Sequence, residues 1–204
     1  MIDKSKNICN IFDLDGTLYQ THKYDVYDQL CNNIYQYIST ISNLSLEESY
    51  KLSEYYQDKY GSSVLGLMKE KSIDPEDFLK SAYKINYSKI RPDQKMKSLF
   101  KKIKTKNIVF TNSTYDYAET VLSKIEILDF IDEIFCIRSS RYESKPNKSA
   151  YDIFEKKYQI KINDCNFIDD REGNIKTAIA YGANTIHCQG NIYEILSTLE
   201  TKDE

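Results

Sequence analysis

Two aspartates, Asp13 and Asp15, stand two residues apart at the end of the short apolar run Ile8-Cys9-Asn10-Ile11-Phe12, and Gly16-Thr17-Leu18 follows them. In an extended chain, side chains at i and i+2 point the same way, so the pair presents both carboxylates at one spot. Carboxylates held that close repel unless a cation or a proton lies between them. The spacing therefore points to metal binding, acid–base chemistry or both, against the inert alternative of an acidic turn. A second apolar run, Asn166-Phe167-Ile168, also ends in paired acids, Asp169-Asp170, with Asn174 four residues further on. Acids at the ends of two strands of one sheet make a site for a hard cation, and carboxylate oxygens suit Mg²⁺.

Two more segments carry groups suited to anions. Ile108-Val109-Phe110 runs straight into Thr111-Asn112-Ser113. A hydroxyl and the N–H groups of a strand-to-helix turn suit a phosphate, although the same cluster is also an ordinary helix cap. Lys145-Pro146 precedes a helical pattern. An ammonium fixed there would neutralise an anionic intermediate, whereas a solvated lysine is the bland reading.

These residues need a scaffold that brings strand ends together. Strand-like runs fall at Ile8–Phe12, Asn107–Thr111, Glu133–Ile137, Asn166–Asp169 and Asn184–His187. From the second run onward helical patterns separate them, at Tyr115–Ile125, Asn147–Tyr158 with Asn147 as N-cap, and Gly173–Tyr181 ending at Gly182. That alternation predicts a parallel sheet with crossover helices, and ligand sites of such sheets lie past the carboxyl ends of the strands. The first two runs break the rhythm, because residues 13–106 separate them, far more than a crossover needs. The intervening chain reads as helical. Tyr24, Tyr27, Leu30, Cys31, Ile34, Tyr35 and Ile38 fall at helical spacing; Ser45-Leu46-Glu47-Glu48 is a capping box; Ser62–Lys71 follows Gly61; and Asp74-Pro75 opens another helix. Residues 20–88 thus form an inserted helical subdomain, and 1–19 with 89–204 form the α/β core. The lysines around Met96, Leu99, Phe100 and Ile103 read as the solvated side of an amphipathic helix.

The 204 residues are 41% hydrophobic and 29% charged, with a net charge of −3, which is ordinary for a soluble globular protein. This balance argues against a nucleic-acid binder or a polybasic membrane anchor. No apolar run is long enough to span a membrane, and Met1–Asn7 lacks the apolar centre of a signal peptide. The five cysteines are scattered without a CxxC pair, as expected of reduced thiols in a cytoplasmic protein.

The order Asp13-Leu14-Asp15-Gly16-Thr17, then Thr111-Asn112-Ser113, then Lys145-Pro146, then Asp169-Asp170 with Asn174, resembles the four motifs of haloacid dehalogenase-like (HAD) phosphatases. The resemblance runs from Ile8 to His187, and the helical insert stands where that family carries its cap. It implies a Rossmann-like parallel sheet with a helical cap after the first strand. Phe12–Tyr19, Tyr60-Gly61, Gly66-Leu67, Phe167–Asp170 and Asn174-Ile175 are similar to the pyrimidine 5′-nucleotidase branch.

By this resemblance Asp13 is the nucleophile that forms an aspartyl-phosphate, and Asp15 protonates the leaving oxygen and later deprotonates water. Mg²⁺ would be held by Asp13, the main-chain carbonyl of Asp15 and Asp170, with Asp169 supporting and Asn174 standing where the family has a second acid. Thr111, the amide of Asn112 and Lys145 would hold the phosphoryl oxygens. Leu18, Tyr19, Tyr60 and Gly61 are the candidates to contact the leaving group. The presence of Asp15 argues against a dehalogenase, and a phosphomutase keeps the same core. A closing cap implies a small phosphorylated metabolite, a nucleoside monophosphate before a sugar phosphate or pyridoxal phosphate. No nucleic-acid or membrane partner is expected, and the chain is expected to be a monomer or weak homodimer. A binding protein without turnover is the non-enzymatic alternative.

Overall fold

The computed structural model describes residues 8–199. The signal-peptide reading at Met1–Asn7 and the outer ends of the α/β stretch, 1–7 and 200–204, lie outside the described residues.

The five runs form one parallel sheet: β1 (Cys9–Phe12), β2 (Lys106–Phe110), β3 (Glu133–Phe135), β4 (Cys165–Asp169) and β5 (Asn184–His187), in the order β3-β2-β1-β4-β5. Alternate side chains pass to opposite faces. Phe12, Val109 and Ile168 join one apolar cluster, while Ile11, Ile108, Phe110 and Phe167 join another, so both faces are covered and the strands read as continuous apolar runs. β3 ends at Phe135, two residues before the sequence expectation. Its last pairing is the bond from the Thr111 N–H to the Phe135 carbonyl, after which Ile137 turns away to donate to Ser113.

One row of the sheet is polar. Asn10, Asn107, Asn166 and Asn184 stand level across four strands. The Asn10 amide donates to Asn107 Oδ1 at 3.0 Å, Asn166 to Asn10 at 2.7 Å and Asn184 to Asn166 at 2.6 Å. The Asn107 amide ends the row on the Phe130 carbonyl. Buried amides are tolerated here because each finds a partner in the next strand.

The insert that follows β1 holds four consecutive α-helices: α1 (Val26–Ser42), α2 (Leu46–Tyr60), α3 (Ser63–Lys71) and α4 (Pro75–Ala82). The Ser45 hydroxyl and the Glu48 carboxylate cap α2 reciprocally, and Asp74 caps α4 with Pro75 in its first turn. Their apolar faces meet in a separate cluster built on Ile38, Tyr56, Leu67, Phe78 and Leu79. Gly66 lets α3 lie against α2, since a Cβ there would come within 2.3 Å of the Tyr56 ring. The cap is not self-contained: Ile137, from the loop after β3, is part of its apolar cluster.

The remaining helices are α5 (Gln94–Phe100), α6 (Tyr115–Lys124), α7 (Lys148–Tyr158), α8 (Glu172–Ala180) and α9 (Ile192–Leu199). Gly182 ends α8 at φ +82, as expected of a glycine just past a helix. Asn147 occupies the N-cap position of α7, but its amide reaches across to the Tyr60 carbonyl at 2.7 Å instead of capping. All five cysteines are free thiols, four of them buried, with Cys9 and Cys165 side by side on β1 and β4. Among the described residues no helix is long and apolar enough to cross a membrane.

Candidate active site

Past Phe12 the chain leaves the sheet and coils tightly. Leu18 N–H donates to the Leu14 carbonyl at 2.9 Å and Gly16 N–H to the Tyr19 carbonyl at 3.0 Å. Gly16 adopts φ +86, and a Cβ on it would lie 2.4 Å from Asp170 Oδ2, so only glycine lets the β1 and β4 turns meet. This coil turns Leu14 into the core and places Asp13 and Asp15 on the wall of one cavity of about 200 Å³ between cap and core.

Lys145 holds the centre. It is 1% exposed, and its ammonium donates to Asp13 Oδ1 at 2.8 Å and to Asp169 Oδ2 at 2.7 Å, over the rings of Phe110 and Phe167. Its backbone is fixed by Asn112, whose side chain accepts from Lys145 N–H at 2.8 Å and donates to the Lys145 carbonyl at 2.9 Å. Thr111 is buried at the end of β2, and its hydroxyl accepts from Ser113 N–H at 3.0 Å. The solvated-lysine reading fails on this geometry, since Lys145 is buried and bonded to two carboxylates.

The two acids ending β4 differ sharply. Asp169 is fully bonded: to Lys145, to Arg171 N–H at 2.9 Å, and through both oxygens to the Asn174 amide at 2.9 Å. Asn174 thus clamps a carboxylate. Asp170 keeps Oδ1 buried without a hydrogen-bond partner. One oxygen each of Asp13, Asp169 and Asp170 lie within 4.8 Å of one another. An orphaned carboxylate oxygen beside two other acids fits a divalent cation.

Asp15 is surrounded by hydroxyls. Oδ1 accepts from Tyr117 at 2.5 Å and Tyr19 at 2.9 Å, and Oδ2 accepts from Ser113 at 2.7 Å. Burial pushes the Asp15 pKa up, and the bonds from Tyr117, Ser113 and Tyr19 oppose it. Burial raises Asp13 well above the usual carboxylate range, with the Lys145 charge as the chief counterweight. Burial works against the charge of Lys145 too, but Asp13 and Asp169 outweigh it and hold its pKa above the ordinary value.

Seven of the residues singled out from sequence therefore converge: Asp13, Asp15, Thr111, Asn112, Lys145, Asp169 and Asp170. Gly61 lines the cavity from the end of α2. Tyr19 reaches the site through Asp15. Leu18 and Tyr60 do not reach the cavity wall: Leu18 is 1% exposed in the sheet-side core, and the Tyr60 phenol turns outward to Glu70 at 2.7 Å. The sequence reading left unassigned the cap-side wall (Tyr27, Leu30, Gln57, Phe78 and Tyr83) and Arg171 on the core side. Helical spacing marked Tyr27 and Leu30 as an apolar face but could not separate cavity from core.

The haloacid dehalogenase-like hydrolase family model matches residues 10–182. The chain belongs to this family. It is similar to phosphate metabolism protein 8 of Saccharomyces cerevisiae, 27% identical over 212 residues that cover 94% of the chain and 65% of that protein. The chain thus spans just under two thirds of that relative's length. The L-2-haloacid dehalogenase of Xanthobacter autotrophicus, with chloropropionic acid covalently bound, superposes with a TM-score of 0.56 at 14% identity, covering 97% of this chain and 90% of that one. A HAD-superfamily hydrolase of Ehrlichia chaffeensis gives 0.55 at 18%, covering 95% and 96%. These two likenesses establish the family's fold, a parallel sheet with a helical insertion after its first strand.

Proposed function

We propose that the protein is a Mg²⁺-dependent phosphatase of small phosphomonoesters that works through an aspartyl-phosphate, with pyrimidine nucleoside 5′-monophosphates as the favoured class. The observation that carries this reading is the pair of carboxylates on one cavity wall in unlike surroundings. Asp13 lies against the Lys145 ammonium and Asp15 is bonded only to hydroxyls. The Lys145 ammonium opposes the burial that raises Asp13 and favours its ionised form, whereas Asp15, whose hydrogen-bond partners among the described residues are hydroxyls, suits the role of proton carrier.

Asp13 attacks phosphorus as the bond to the leaving oxygen breaks, and Asp15 gives that oxygen its proton. Asp15 then takes a proton from water, whose oxygen attacks phosphorus and releases the Asp13 carboxylate and inorganic phosphate. Lys145, the Thr111 hydroxyl and the Asn112 N–H face the phosphoryl oxygens and offset their charge. Asp13, the Asp15 carbonyl and Asp170 would hold Mg²⁺, with Asp169 oriented by Asn174 behind them. When bound, the ion templates the phosphoryl group and neutralises it.

A halide leaves as an anion and needs no proton, so an acid over the leaving atom has work to do in ester cleavage and none in dehalogenation. That favours the phosphatase over the dehalogenases whose fold it shares. The aromatic and amide groups Tyr27, Tyr83 and Gln57 suit a leaving alcohol that carries a planar base such as a pyrimidine. A second reading, a sugar phosphate or another compact monoester, is favoured by the small cavity of about 200 Å³.

The test is phosphate release from nucleoside monophosphates, sugar phosphates and pyridoxal phosphate, with Mg²⁺ and with EDTA. The expected result is metal-dependent turnover with UMP or CMP preferred, abolished in folded Asp13→Asn. Preference for another ester keeps the chemistry and discards the nucleotidase branch. No release from any ester by folded protein overturns the reading.

A further inference from the structure

Asp15 offers two oxygens to the cavity, and their surroundings are not equivalent. Oδ1 receives two phenols. Tyr117, on the first turn of α6 and 1% exposed, donates at 2.5 Å, Tyr19 donates at 2.9 Å, and the two phenol oxygens are themselves in contact. A carboxylate oxygen has two lone pairs in its plane, so Oδ1 is fully occupied. Among the described residues Oδ2 is hydrogen-bonded only to the Ser113 hydroxyl, at 2.7 Å.

Resting on the phosphatase reading, we infer that Tyr117 is a positioning residue for Asp15: with Tyr19 it clamps Oδ1, orients the carboxyl group and reserves Oδ2 as the atom that exchanges protons with leaving group and water. In the first half-reaction the Oδ2 proton passes to the bridging oxygen as its bond to phosphorus breaks and the Asp13–phosphorus bond forms. In the second, Oδ2 takes a proton from water as the water oxygen bonds to phosphorus and the Asp13 carboxylate leaves. Ser113 donates to a lone pair of Oδ2 in both halves, which leaves the other position on that oxygen for the proton that is exchanged and keeps the hydroxyl partnered throughout.

The clamp is braced from the cap. Tyr83, which closes α4, sets its ring edge-on to Tyr117 at 5.1 Å, and Tyr87, on the segment returning to the core, lies at 6.0 Å. The stretch by which the cap rejoins the sheet therefore packs on the ring that holds the acid. Cap position and acid orientation are linked through one side chain.

The experiment compares two esters in the full chain with Mg²⁺. In p-nitrophenyl phosphate the leaving phenolate departs without needing a proton; the best alkyl ester of the panel above leaves as an alkoxide that needs one. The kcat/KM value reports the step in which that group departs. Tyr117→Phe removes one oxygen and keeps the ring against Tyr83. It is expected to lower kcat/KM about tenfold or more on the alkyl ester and less than about threefold on the aryl ester. Equal losses on both esters, or none on either, overturn the inference while leaving the phosphatase reading standing. If Tyr117→Phe shows no cooperative melting, Tyr19→Phe, which removes the other donor to Oδ1, carries the same expectation and the same overturning result. Wild-type protein inactive on every ester removes the phosphatase reading and this inference with it.

Discussion

Lys145 and Asp170 divide the electrostatics of the site between them. Lys145 shares its single positive charge between two carboxylates, Asp13 and Asp169, whereas the Asp170 Oδ1 is buried without a hydrogen-bond partner among the described residues. A cation recruited to the site therefore gains most from Asp170. Replacing Asp170 by Ala is expected to raise the Mg²⁺ concentration for half-maximal activity by about tenfold or more. A metal titration of the purified variant checks this, and an unchanged requirement would transfer the main role to Asp169. Asp13, Asp15, Asp169 and Asp170 were legible from sequence because acids stand in pairs at the ends of two strand-like runs, and Lys145 was legible through its place in the order of motifs. The Asn112–Lys145 exchange, the Asn174 clamp on Asp169 and the Tyr117 bond to Asp15 were not, because each joins residues whose approach depends on the folded loops. Tyr117 in particular sits at ordinary helical spacing, where a tyrosine buried for packing and one buried for a hydroxyl look alike.

At the level of elements, the cap is tied to the core on one side by charge. Glu76, in the first turn of α4, receives Arg138 through Nε at 2.9 Å and Nη2 at 2.8 Å, and the Tyr142 hydroxyl at 2.7 Å. These bonds, Arg138 first, hold the Glu76 pKa below its ordinary value of 4.5. A depressed acid contributes stability that is complete above its ordinary pKa and is lost as pH falls through the lower, folded value. Both partners are more than a third exposed, so solvent screening limits the contribution to at most about 1 kcal/mol. Glu76→Gln is expected to melt a few degrees below wild type at neutral pH, with the gap closing below about pH 4. Thermal melts across pH decide it; a gap that persists in acid would mean that packing, not charge, holds α4. The helices of the insert were readable from capping residues and apolar spacing, down to the Ser45–Glu48 box. The contact of Ile137 with the cap was not, since an apolar residue just past a strand looks like more strand.

Across the whole molecule the asparagine row and the reactive row lie on the same strands. Asp13 and Asp169 each come three residues after a ladder asparagine, Asn10 and Asn166, and Thr111 comes four after Asn107. Asn10 is the shared member, bonded on both sides. Asn10→Ala would strand a buried acceptor on Asn107 and a buried donor on Asn166, at about 1–3 kcal/mol each. Equilibrium urea unfolding is expected to show about 2–4 kcal/mol lost, and a loss below about 1 kcal/mol would mean that water replaces the missing amide. A parallel sheet was expected from alternating runs and helices. The row was hidden because a lone asparagine in an apolar run reads as an interruption until its neighbours are aligned beside it.

The amide row works as a levelling line. A strand that slid by one residue would turn all its side chains to the other face, and the asparagines would lose their partners in the same movement. The heights of Asp13, Thr111 and Asp169 are thereby set by residues that never meet a substrate. Alignment and reactivity occupy separate storeys of the same strands, so the upper storey can be rewritten for another leaving group, or another reaction, while the lower one keeps every strand end at its mark.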